Sequence, residues 1–309
     1  MTDPRHGAGR RALEVGGRTV LLSNPEKLLF PATGFTKRDL VEYSLGIAAA
    51  ILPHLAGRPV TLARFPDGVD APGWYQTNCP AGRPGWLAVA EVRGARGQTL
   101  RYCLLDDAAA LAWAANAAAI ELHPLLATLD APATARALVL DLDARPPAGL
   151  RECARLALRL RERLHADGLA SFPKTSGGAG LHLYVPLDGA DGFDATKAFV
   201  RALARELARE DPGGVTDRLP LAGRAGKVLV DWRQNGGNRS LIAPYSLRAA
   251  SVPLVATPVR WDEVATAADR GDDGSLRFGP AEVLARLRRE GDLLAPALAR
   301  GGRLPPARR

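Results

Sequence analysis

The chain has 309 residues and a mass of 32.7 kDa, with 47% apolar and 24% charged residues. This composition is typical of a globular protein and excludes a disordered chain, a fibre and a disulfide-stapled miniprotein. No apolar run reaches the roughly 18 residues of a membrane span, and no apolar stretch follows the basic N-terminus, so neither a membrane segment nor a secretory signal is expected. The net charge of +8 favours a polyanionic partner such as nucleic acid, although the excess of arginine over lysine can also reflect genome base composition.

The N-terminal half is predicted to begin with an arm and to continue with helices and loops. Residues 1–16 are rich in Gly and Arg and lack periodicity, which predicts a flexible basic arm. A single domain is expected over 17–295, followed by a basic tail over 296–309. Thr36 and Asp39 have the spacing of a capping box, so a helix is expected from Thr36, with apolar positions on one face as far as Leu55. The alanine-rich segment 106–122 predicts another helix.

The C-terminal half alternates predicted strands and helices. Helical periodicity covers 150–165, a stretch from Asp194 onward, and 281–289, while strands are expected at 137–142, 181–187, 227–232 and 241–247. A glycine-rich loop at 175–180 separates the first of these helices from the second strand. Because the alternation does not make a parallel series, the fold class is predicted to be α+β rather than a doubly wound sheet.

The three cysteines are Cys79, Cys103 and Cys153. They lie far apart in the sequence and form no CxxC pair. We therefore expect free, buried thiols in a reducing compartment rather than a metal site.

Carboxylates follow two of the predicted strands. Asp141 and Asp143 end the apolar run Ala-Leu-Val-Leu, and residues two apart in a strand project to the same side. Two such carboxylates repel each other unless a cation lies between them, and Mg²⁺ or Mn²⁺ prefers oxygen ligands. An isolated pair is more often two exposed turn residues. Asp231 ends a second apolar strand, however, and three carboxylates on neighbouring strands would suffice for two metal ions in phosphoryl transfer.

The glycine-rich loop is a candidate phosphate site. Its glycines allow backbone N–H groups to approach an anion, and Ser176 and His182 add possible donors. The loop lacks the GxxxxGK[ST] pattern of a Walker A motif, and glycine-rich turns are common, so the signal is weak when taken alone. Arg224, Gln234 and the segment 243–248 place further amide and guanidinium groups around Asp231.

These motifs together resemble the polymerase domain of bacterial DNA ligase D, a family of end-joining polymerases in the archaeo-eukaryotic primase superfamily. The resemblance covers roughly residues 20–264 and depends on seven motifs in order rather than on any one of them. The motifs are NPEKLLFPATGFTK, GRPVTLARFPDGVD, IELHP, LDLD, KTSGGAGLHLYVPL, GKVLVDWRQN, and APYSLRA before TPVRWDEV. A primase-like core of mixed or antiparallel sheets flanked by helices is implied.

The resemblance implies a role for each matching position. The metal-binding, catalytic carboxylates would be Asp141, Asp143 and Asp231. The residues that hold the incoming nucleotide would be His123, Ser176, His182, Arg224, Gln234 and Arg248. The residues that contact DNA would be Lys27 and Lys37 at a 5′-phosphate, Arg64 at the backbone, and Trp74 and Tyr75 against the template, where a flat ring can stack on any base.

Two positions depart from the family pattern. Ala179 stands in the glycine loop where the family usually has a lysine that meets the triphosphate, and Ala63 stands where a second basic residue often precedes Arg64. Neither change touches the three carboxylates. Slower or altered activity is expected from them rather than none.

The favoured function is that of a template-directed nucleotidyltransferase that fills gaps and extends 3′ ends at DNA breaks. The family implies two Mn²⁺ or Mg²⁺ ions, NTP or dNTP substrates with ribonucleotides preferred, and a cytoplasmic, nucleoid-associated protein. The alternatives are a catalytically weak module that binds and bridges DNA ends, and a primase that needs no starting strand. No KxDG adenylation motif occurs, so ligation would come from a separate ATP-dependent ligase, with Ku as a possible further partner.

Overall fold

The computed structural model describes residues 10–94, 96–270 and 274–305, and it has the expected α+β fold. Its helices are α1 (Lys37–Gly46), α2 (Ala48–Leu55), α3 (Ala108–Asn116), α4 (Leu150–Ala166), α5 (Phe193–Glu210), α6 (Trp261–Arg270) and α7 (Pro280–Glu290). Its strands are β1 (Arg10–Val15), β2 (Arg18–Ser23), β3 (Leu28–Phe30), β4 (Phe35–Thr36), β5 (Val60–Arg64), β6 (Trp74–Gln76), β7 (Val89–Arg93), β8 (Thr99–Cys103), β9 (Ala119–Pro124), β10 (Ala137–Ala144), β11 (Phe172–Thr175), β12 (Gly180–Pro186), β13 (Val215–Thr216), β14 (Val228–Val230), β15 (Leu247–Arg248) and β16 (Leu254–Val255).

Two five-stranded sheets organise the chain. The first has the order β6-β5-β8-β7 with β9 also paired to β5, and all of its pairings are antiparallel. The second has the order β11-β12-β10-β14-β13 and is antiparallel except for the β13–β14 pair. One buried apolar cluster, which includes Leu62 of the first sheet and Leu140 of the second, joins them.

The N-terminal arm is shorter than predicted. Residues 10–15 fall within the segment predicted to be an arm but form β1, which pairs with β2 along its whole length. Leu13 and Val15 alternate along this strand and pack against the core, which gives the segment an apolar face that its Gly and Arg content hides. The rest of the predicted arm, residues 1–9, lies outside the described residues.

The predicted basic tail also begins with ordered contacts. Ala297 is buried, Leu304 packs against the core, and Gly302 forms a bridge with Leu187. These apolar side chains attach residues 296–305 to the domain. Residues 306–309 lie outside the described part of the chain.

The first helix begins as predicted, at a capping box. The Thr36 hydroxyl accepts a hydrogen bond from the amide of Asp39, whose carboxylate accepts one from the amide of Thr36. The apolar face continues to Leu55, but the helix does not, because α1 ends at Gly46 and α2 starts at Ala48. A Cβ on Gly46 would lie 2.7 Å from Leu284 of α7, so the helix end is also a point of close packing.

The helix predicted over 106–122 is wrong after Asn116. The helix begins at its Asp107 cap and ends at Asn116, and the chain then turns through Ala118, whose φ of 55° is left-handed. Residues 119–124 form β9, which pairs with β5 and is buried along its whole length. Most alanines of the segment precede β9, which has the sequence AIELHP with one alanine, so pairing with β5 decides the structure of this segment.

Two cysteine predictions are wrong. Cys79 and Cys103 form a disulfide that ties the segment after β6 to the end of β8, and β8 pairs with β5 only at Val60. The pairing was not visible in the sequence because the two positions are 24 residues apart and only the sheet brings them together. Cys153 is a free, buried thiol, as expected.

In the described residues no helix is long and apolar enough to cross a membrane.

A substitution at Gly180 tests how closely β12 approaches β10. A Cβ at this position would lie 2.4 Å from the carbonyl oxygen of Leu142, whereas at Gly178 it would meet nothing nearer than the Ser176 hydroxyl at 3.6 Å. We therefore expect Gly180→Ala to lower the free energy of unfolding by about 1–3 kcal/mol, as in an overpacked core. Urea denaturation measures the effect, with Gly178→Ala as the matched control, and equal stability of the two variants would contradict the packing.

Candidate functional site

The central strand β10 places the predicted carboxylates at the junction with its two neighbours. Asp141 is paired with His182 of β12, and Asp143 with Leu229 of β14. The amide of Asp231, just past the end of β14, donates a 2.8 Å hydrogen bond to the carbonyl of Asp141. The sheet therefore brings together residues that are 90 positions apart, because the two strands that precede them are neighbours.

Each carboxylate has its own cationic or imidazole partner. The pairs are His182 Nε2 with Asp141 Oδ1 at 3.3 Å, Arg224 Nη2 with Asp143 Oδ2 at 2.7 Å, and Arg233 Nε with Asp231 Oδ1 at 3.3 Å. Among residues 10–94, 96–270 and 274–305, no group of three His, Cys, Asp or Glu side chains has the spacing of a ready metal site. The carboxylates share a cavity, but each is held by a neighbouring nitrogen group.

His182 is buried and carries an unused polar atom. Burial lowers the pKa of His182, and the nearby charge of Lys174 adds to the effect despite the opposing influence of Asp141. Its Nδ1 is buried and has no hydrogen-bond partner in the described part of the chain. A buried polar group without a partner is costly, which marks this ring nitrogen as an unmet hydrogen-bonding group on a residue that lines the cavity.

Lys174 interacts electrostatically with Asp141 and Arg248, two residues of the cavity, and the sequence analysis assigned it no role. Its side chain is fully buried, and its ammonium donates to the carbonyl of Thr175. Burial lowers the pKa of Lys174 to about 7, with Asp141 raising it and Arg248 lowering it further. The position was visible as the first residue of the glycine-rich motif, but no pattern distinguishes a buried lysine from an exposed one.

The glycine-rich loop closes on itself through Ser176. Its hydroxyl accepts hydrogen bonds from the amides of Gly178 and Gly180, and its amide donates to the carbonyl of Gly180. Gly177 has a φ of 76°, and a Cβ there would lie 3.0 Å from that of Arg248. This glycine is therefore required both by its backbone conformation and by its neighbour. Ala179, at the tip, is exposed.

Glu121 organises one wall of the cavity and was missed by the sequence analysis. Its carboxylate accepts from His123 Nε2 at 2.7 Å and from the amide of Ala249, and it lies 3.4 Å from Arg248 Nε. Burial alone raises the pKa of Glu121, but the hydrogen bond from His123 and the charge of Arg248 outweigh it and lower the pKa. Glu121 could have been found from its spacing, because it lies two residues before His123 and residues two apart in a strand project to the same side.

Arg248 lies at the end of a turn that replaces the strand predicted over 241–247. Of this segment only Leu247 is in a strand, which continues to Arg248, because Pro244 removes a donor and Tyr245 has a left-handed φ of 66°. The turn is held by Tyr43, whose hydroxyl donates to the carbonyl of Tyr245, and by the Tyr245 hydroxyl, which donates to Asp292. The Arg248 side chain is thereby directed to Glu121.

One cavity of about 330 Å³ collects the predicted catalytic and nucleotide-binding residues. The predicted residues that line it are His123, Asp141, Asp143, Ser176, His182, Arg224, Asp231, Gln234 and Arg248. Arg233 lines it as well and was not predicted. The structure therefore brings together every residue of these two predicted sets.

The predicted DNA-binding residues lie outside the cavity lining, on and beside the first sheet. Lys27 contacts Asp67 at 2.6 Å, and the buried Lys37 donates to the carbonyl of Ser23. Burial lowers the pKa of Lys37, and the positive charges of Lys27 and Arg64 lower it further. The three cations are thus close enough to repel one another, which defines a basic patch.

The aromatic pair connects this basic patch to the cavity. Trp74 and Tyr75 are 46% and 64% exposed, an unusual state for large rings. The guanidinium of Arg64 lies over Trp74, and Tyr75 meets the His123 ring edge-on at 5.4 Å between centroids. A base stacked on Tyr75 would therefore lie beside the cavity wall.

The donor set suits hard divalent cations. Three carboxylates converge on one cavity, and the oxygen ligands they offer are those that Mg²⁺ and Mn²⁺ prefer. Binding a cation requires His182, Arg224 and Arg233 to yield part of their contact with the carboxylates. The side chains of Asp143 and Arg233 are 54% and 45% exposed, so these two groups have room to move.

The comparison with known families identifies the class of protein to which this fold and cavity belong. Residues 36–294 match the model of the LigD primase-polymerase domain. The chain belongs to this family.

Relatives and a solved structure agree with this assignment. The chain is 41% identical over 285 residues to the multifunctional non-homologous end joining protein LigD of Mycobacterium bovis and 39% identical over 281 residues to that of Mycolicibacterium smegmatis. These alignments cover 89% and 90% of the chain but 36% of each relative, so the chain spans about a third of their length. The polymerase domain from Mycobacterium tuberculosis ligase D, solved in complex with DNA, superposes with a TM-score of 0.83 at 39% identity, covering 91% of this chain and 99% of that one.

Lys174 gives a pH-dependent prediction. With a folded-state pKa of about 7 against 10.5 for the ordinary group, the unfolded chain binds more protons between these values, so the native state gains stability as pH rises through this window. We expect Lys174→Met to unfold at higher urea than wild type at pH 7, and the difference to shrink toward pH 10. Lys27→Met, which removes a surface ammonium, is the control. A difference that grows with pH would contradict the prediction.

Proposed function

We propose that this chain is a template-directed nucleotidyltransferase that fills gaps and extends 3′ ends at DNA double-strand breaks. In this reaction the 3′-hydroxyl of a DNA strand attacks the α-phosphate of a nucleoside triphosphate and pyrophosphate leaves. The family of the chain and the names of its end-joining relatives support the reaction class. The role in a whole end-joining protein is a proposal, since the chain matches only part of those relatives.

The observation that carries the proposal is the convergence of three carboxylates with cationic and imidazole groups on one cavity. Asp141, Asp143 and Asp231 would hold two divalent ions, with Mn²⁺ or Mg²⁺ as the candidates. When bound, such ions supply Lewis-acid charge at the attacking and leaving oxygens. The negative charges of the carboxylates would repel a triphosphate that bound alone. A cavity with this lining is therefore suited to metal ions and nucleotide together.

The other side chains of the cavity would bind and orient the nucleotide. Arg224 and Arg248 offer guanidinium groups to phosphate oxygens, which they can bind in a bidentate manner. The unpartnered Nδ1 of His182 can exchange a hydrogen bond with the ligand, and the Ser176 loop adds backbone N–H groups. Gln234 and His123 line the same cavity and would complete the nucleotide contacts. A preference for ribonucleotides is part of the proposal.

The basic patch and aromatic pair would bind the DNA. Lys27 and Lys37 would hold a 5′-phosphate at the far side of the gap, and Arg64 would contact the backbone. Trp74 and Tyr75 would stack on template bases without reading their sequence, which suits a protein that acts at arbitrary breaks. Ku and a separate ATP-dependent ligase are the proposed partners in completing repair.

Removing one carboxylate tests the catalytic role. Asp143→Asn keeps the side-chain size but removes the charge. We expect the variant to lose several kcal/mol of transition-state stabilisation, which lowers the rate more than 100-fold at roughly 1.4 kcal/mol per tenfold. The measurement is nucleotide incorporation with Mn²⁺ on gapped, 5′-phosphorylated DNA. Glu162→Gln, an exposed residue on α4, is the control. Wild-type incorporation by Asp143→Asn would overturn the assignment.

Restoring the loop lysine tests the nucleotide site. Ala179 is exposed in the loop that carries Ser176, so a lysine there can reach a bound triphosphate. We expect Ala179→Lys to lower the KM for the nucleotide roughly tenfold, the value of one charge-assisted hydrogen bond of about 1.5 kcal/mol. Ala281→Lys on the exposed side of α7 adds the same charge elsewhere. Equal KM values for the two variants would contradict this role of position 179.

The alternative, a DNA-end-binding module with little catalysis, is favoured by two observations. All three carboxylates already contact cationic or imidazole groups, and the loop lacks its usual lysine. In that case the basic patch and aromatic pair would provide the function alone. A thermal-unfolding shift by Mn²⁺ with nucleoside triphosphate, together with incorporation, supports the polymerase; absence of both with intact DNA binding supports the binding module.

A further inference from the structure

A row of cations follows one face of α5, away from the predicted DNA-binding residues. Lys197, Arg201, Arg205 and Arg209 are spaced four residues apart, so they lie on one face of the helix. Twelve residues of helix extend about 18 Å at 1.5 Å per residue. We call these four residues the α5 stripe.

Two of the three acids of α5 face away from the stripe. Glu210 contacts Arg163 at 2.6 Å and Arg159 at 3.1 Å, and Glu206 lies 3.6 Å from Arg163. Both arginines belong to α4, so these two negative charges are paired on the side of α5 that packs toward α4. The third acid, Asp194, lies in the first turn of the helix, before the stripe begins.

One end of the α5 stripe lies beside the carboxylate site. The guanidinium of Arg201 lies 4.6 Å from the centre of the Trp232 ring, and the ammonium of Lys197 lies 5.5 Å from it. Trp232 directly follows Asp231 in the chain, and its indole N–H donates to the carbonyl of Asp217. The aromatic ring therefore fixes the basic row next to a proposed metal ligand.

The other end of the α5 stripe lines a second cavity, of about 700 Å³, which adjoins the first at Arg224. Its cationic lining residues are Arg205, Arg209, Arg218, Arg224 and Lys227. The cavity lining also contains one carboxylate, that of Asp217, which lies 3.7 Å from Arg205.

These cations have few anionic partners within the protein. The Arg218 side chain makes no ion pair in residues 10–94, 96–270 and 274–305, and Arg209 donates only to a backbone carbonyl there. Arg224 pairs with Asp143 through one nitrogen, but its buried Nε has no partner among the residues that the structure describes. The groove from α5 to Arg224 therefore holds uncompensated positive charge and an unmet donor, which together suit an anion with regularly spaced charges.

We propose that the α5 stripe and the cavity it lines bind the backbone phosphates of a single-stranded DNA segment. A strand that follows the stripe reaches the carboxylates past Arg224, from a different direction than a strand held by Lys27 and Lys37. The placing of its 3′ end at the carboxylates depends on the proposed function, whereas the binding of phosphates does not. The chain would thus have two separate surfaces for DNA.

The test measures binding of a fluorescent oligothymidylate that lacks a 5′-phosphate, over a series of salt concentrations. Arg205→Gln/Arg209→Gln should bind more weakly than wild type. Its slope of log affinity against log salt should be shallower by about 1.4, since each contacted phosphate of a single strand contributes about 0.7. Arg205→Lys/Arg209→Lys keeps the charges and should keep most of the slope. Thermal unfolding checks that each variant is folded.

The matched control removes two exposed arginines of α7, as Arg288→Gln/Arg289→Gln, with the same change in net charge. Unchanged affinity and slope in the glutamine variant of the α5 stripe, or an equal loss in the control, would overturn the proposal.

Nucleotide incorporation on gapped DNA separates this inference from the proposed function. Wild-type incorporation combined with unaltered oligothymidylate binding by the α5 variant refutes the inference alone. If the wild-type protein incorporates no nucleotide but the α5 variant binds oligothymidylate more weakly than it does, the proposed function alone is refuted and the α5 stripe is supported.

Discussion

The antiparallel pairing of β10 with β12 on one side and β14 on the other is the constraint on which the site depends. Through it, Asp141 stands across from His182, and the amide of Asp231 bonds to the carbonyl of Asp141. A shift of either strand by one residue would turn its side chains to the opposite face and separate the carboxylates. The close approach of Gly180 to Leu142 restricts such a shift, because in this register only a glycine at position 180 leaves room for the neighbouring strand.

The carboxylate cavity contains a network of compensating charges rather than an excess of one sign. Burial weakens the preference of His182 and Lys174 for the protonated form, while the nearby carboxylate of Asp141 favours it. The other two carboxylates, Asp143 and Asp231, contact the guanidinium groups of Arg224 and Arg233. Substrate and ions that bring both signs of charge can exchange partners with this network, and the net charge within the cavity then changes little.

Sequence reasoning succeeded where a local pattern determines the structure. The capping box at Thr36, the apolar run before Asp141 and the ordered motifs each carry their meaning within a few residues. It failed where a distant contact decides. Residues 119–122 became a strand because β5 lies beside them, and Cys79 meets Cys103 only through the sheet. Burial of Lys174 and the ion pair of Arg233 likewise depend on neighbours that no spacing reveals.

The burial of Lys37 has a consequence for the thermodynamics of association. An ammonium on a mobile, hydrated side chain loses water and rotational freedom when it meets an anion. Lys37 has already lost most of both, since it is 7% exposed and anchored to the carbonyl of Ser23. Folding has therefore already met a cost that Lys27, at the surface, would incur on binding an anion. Of two lysines with the same formal charge, the enclosed one is thus the more preorganised for binding an anion.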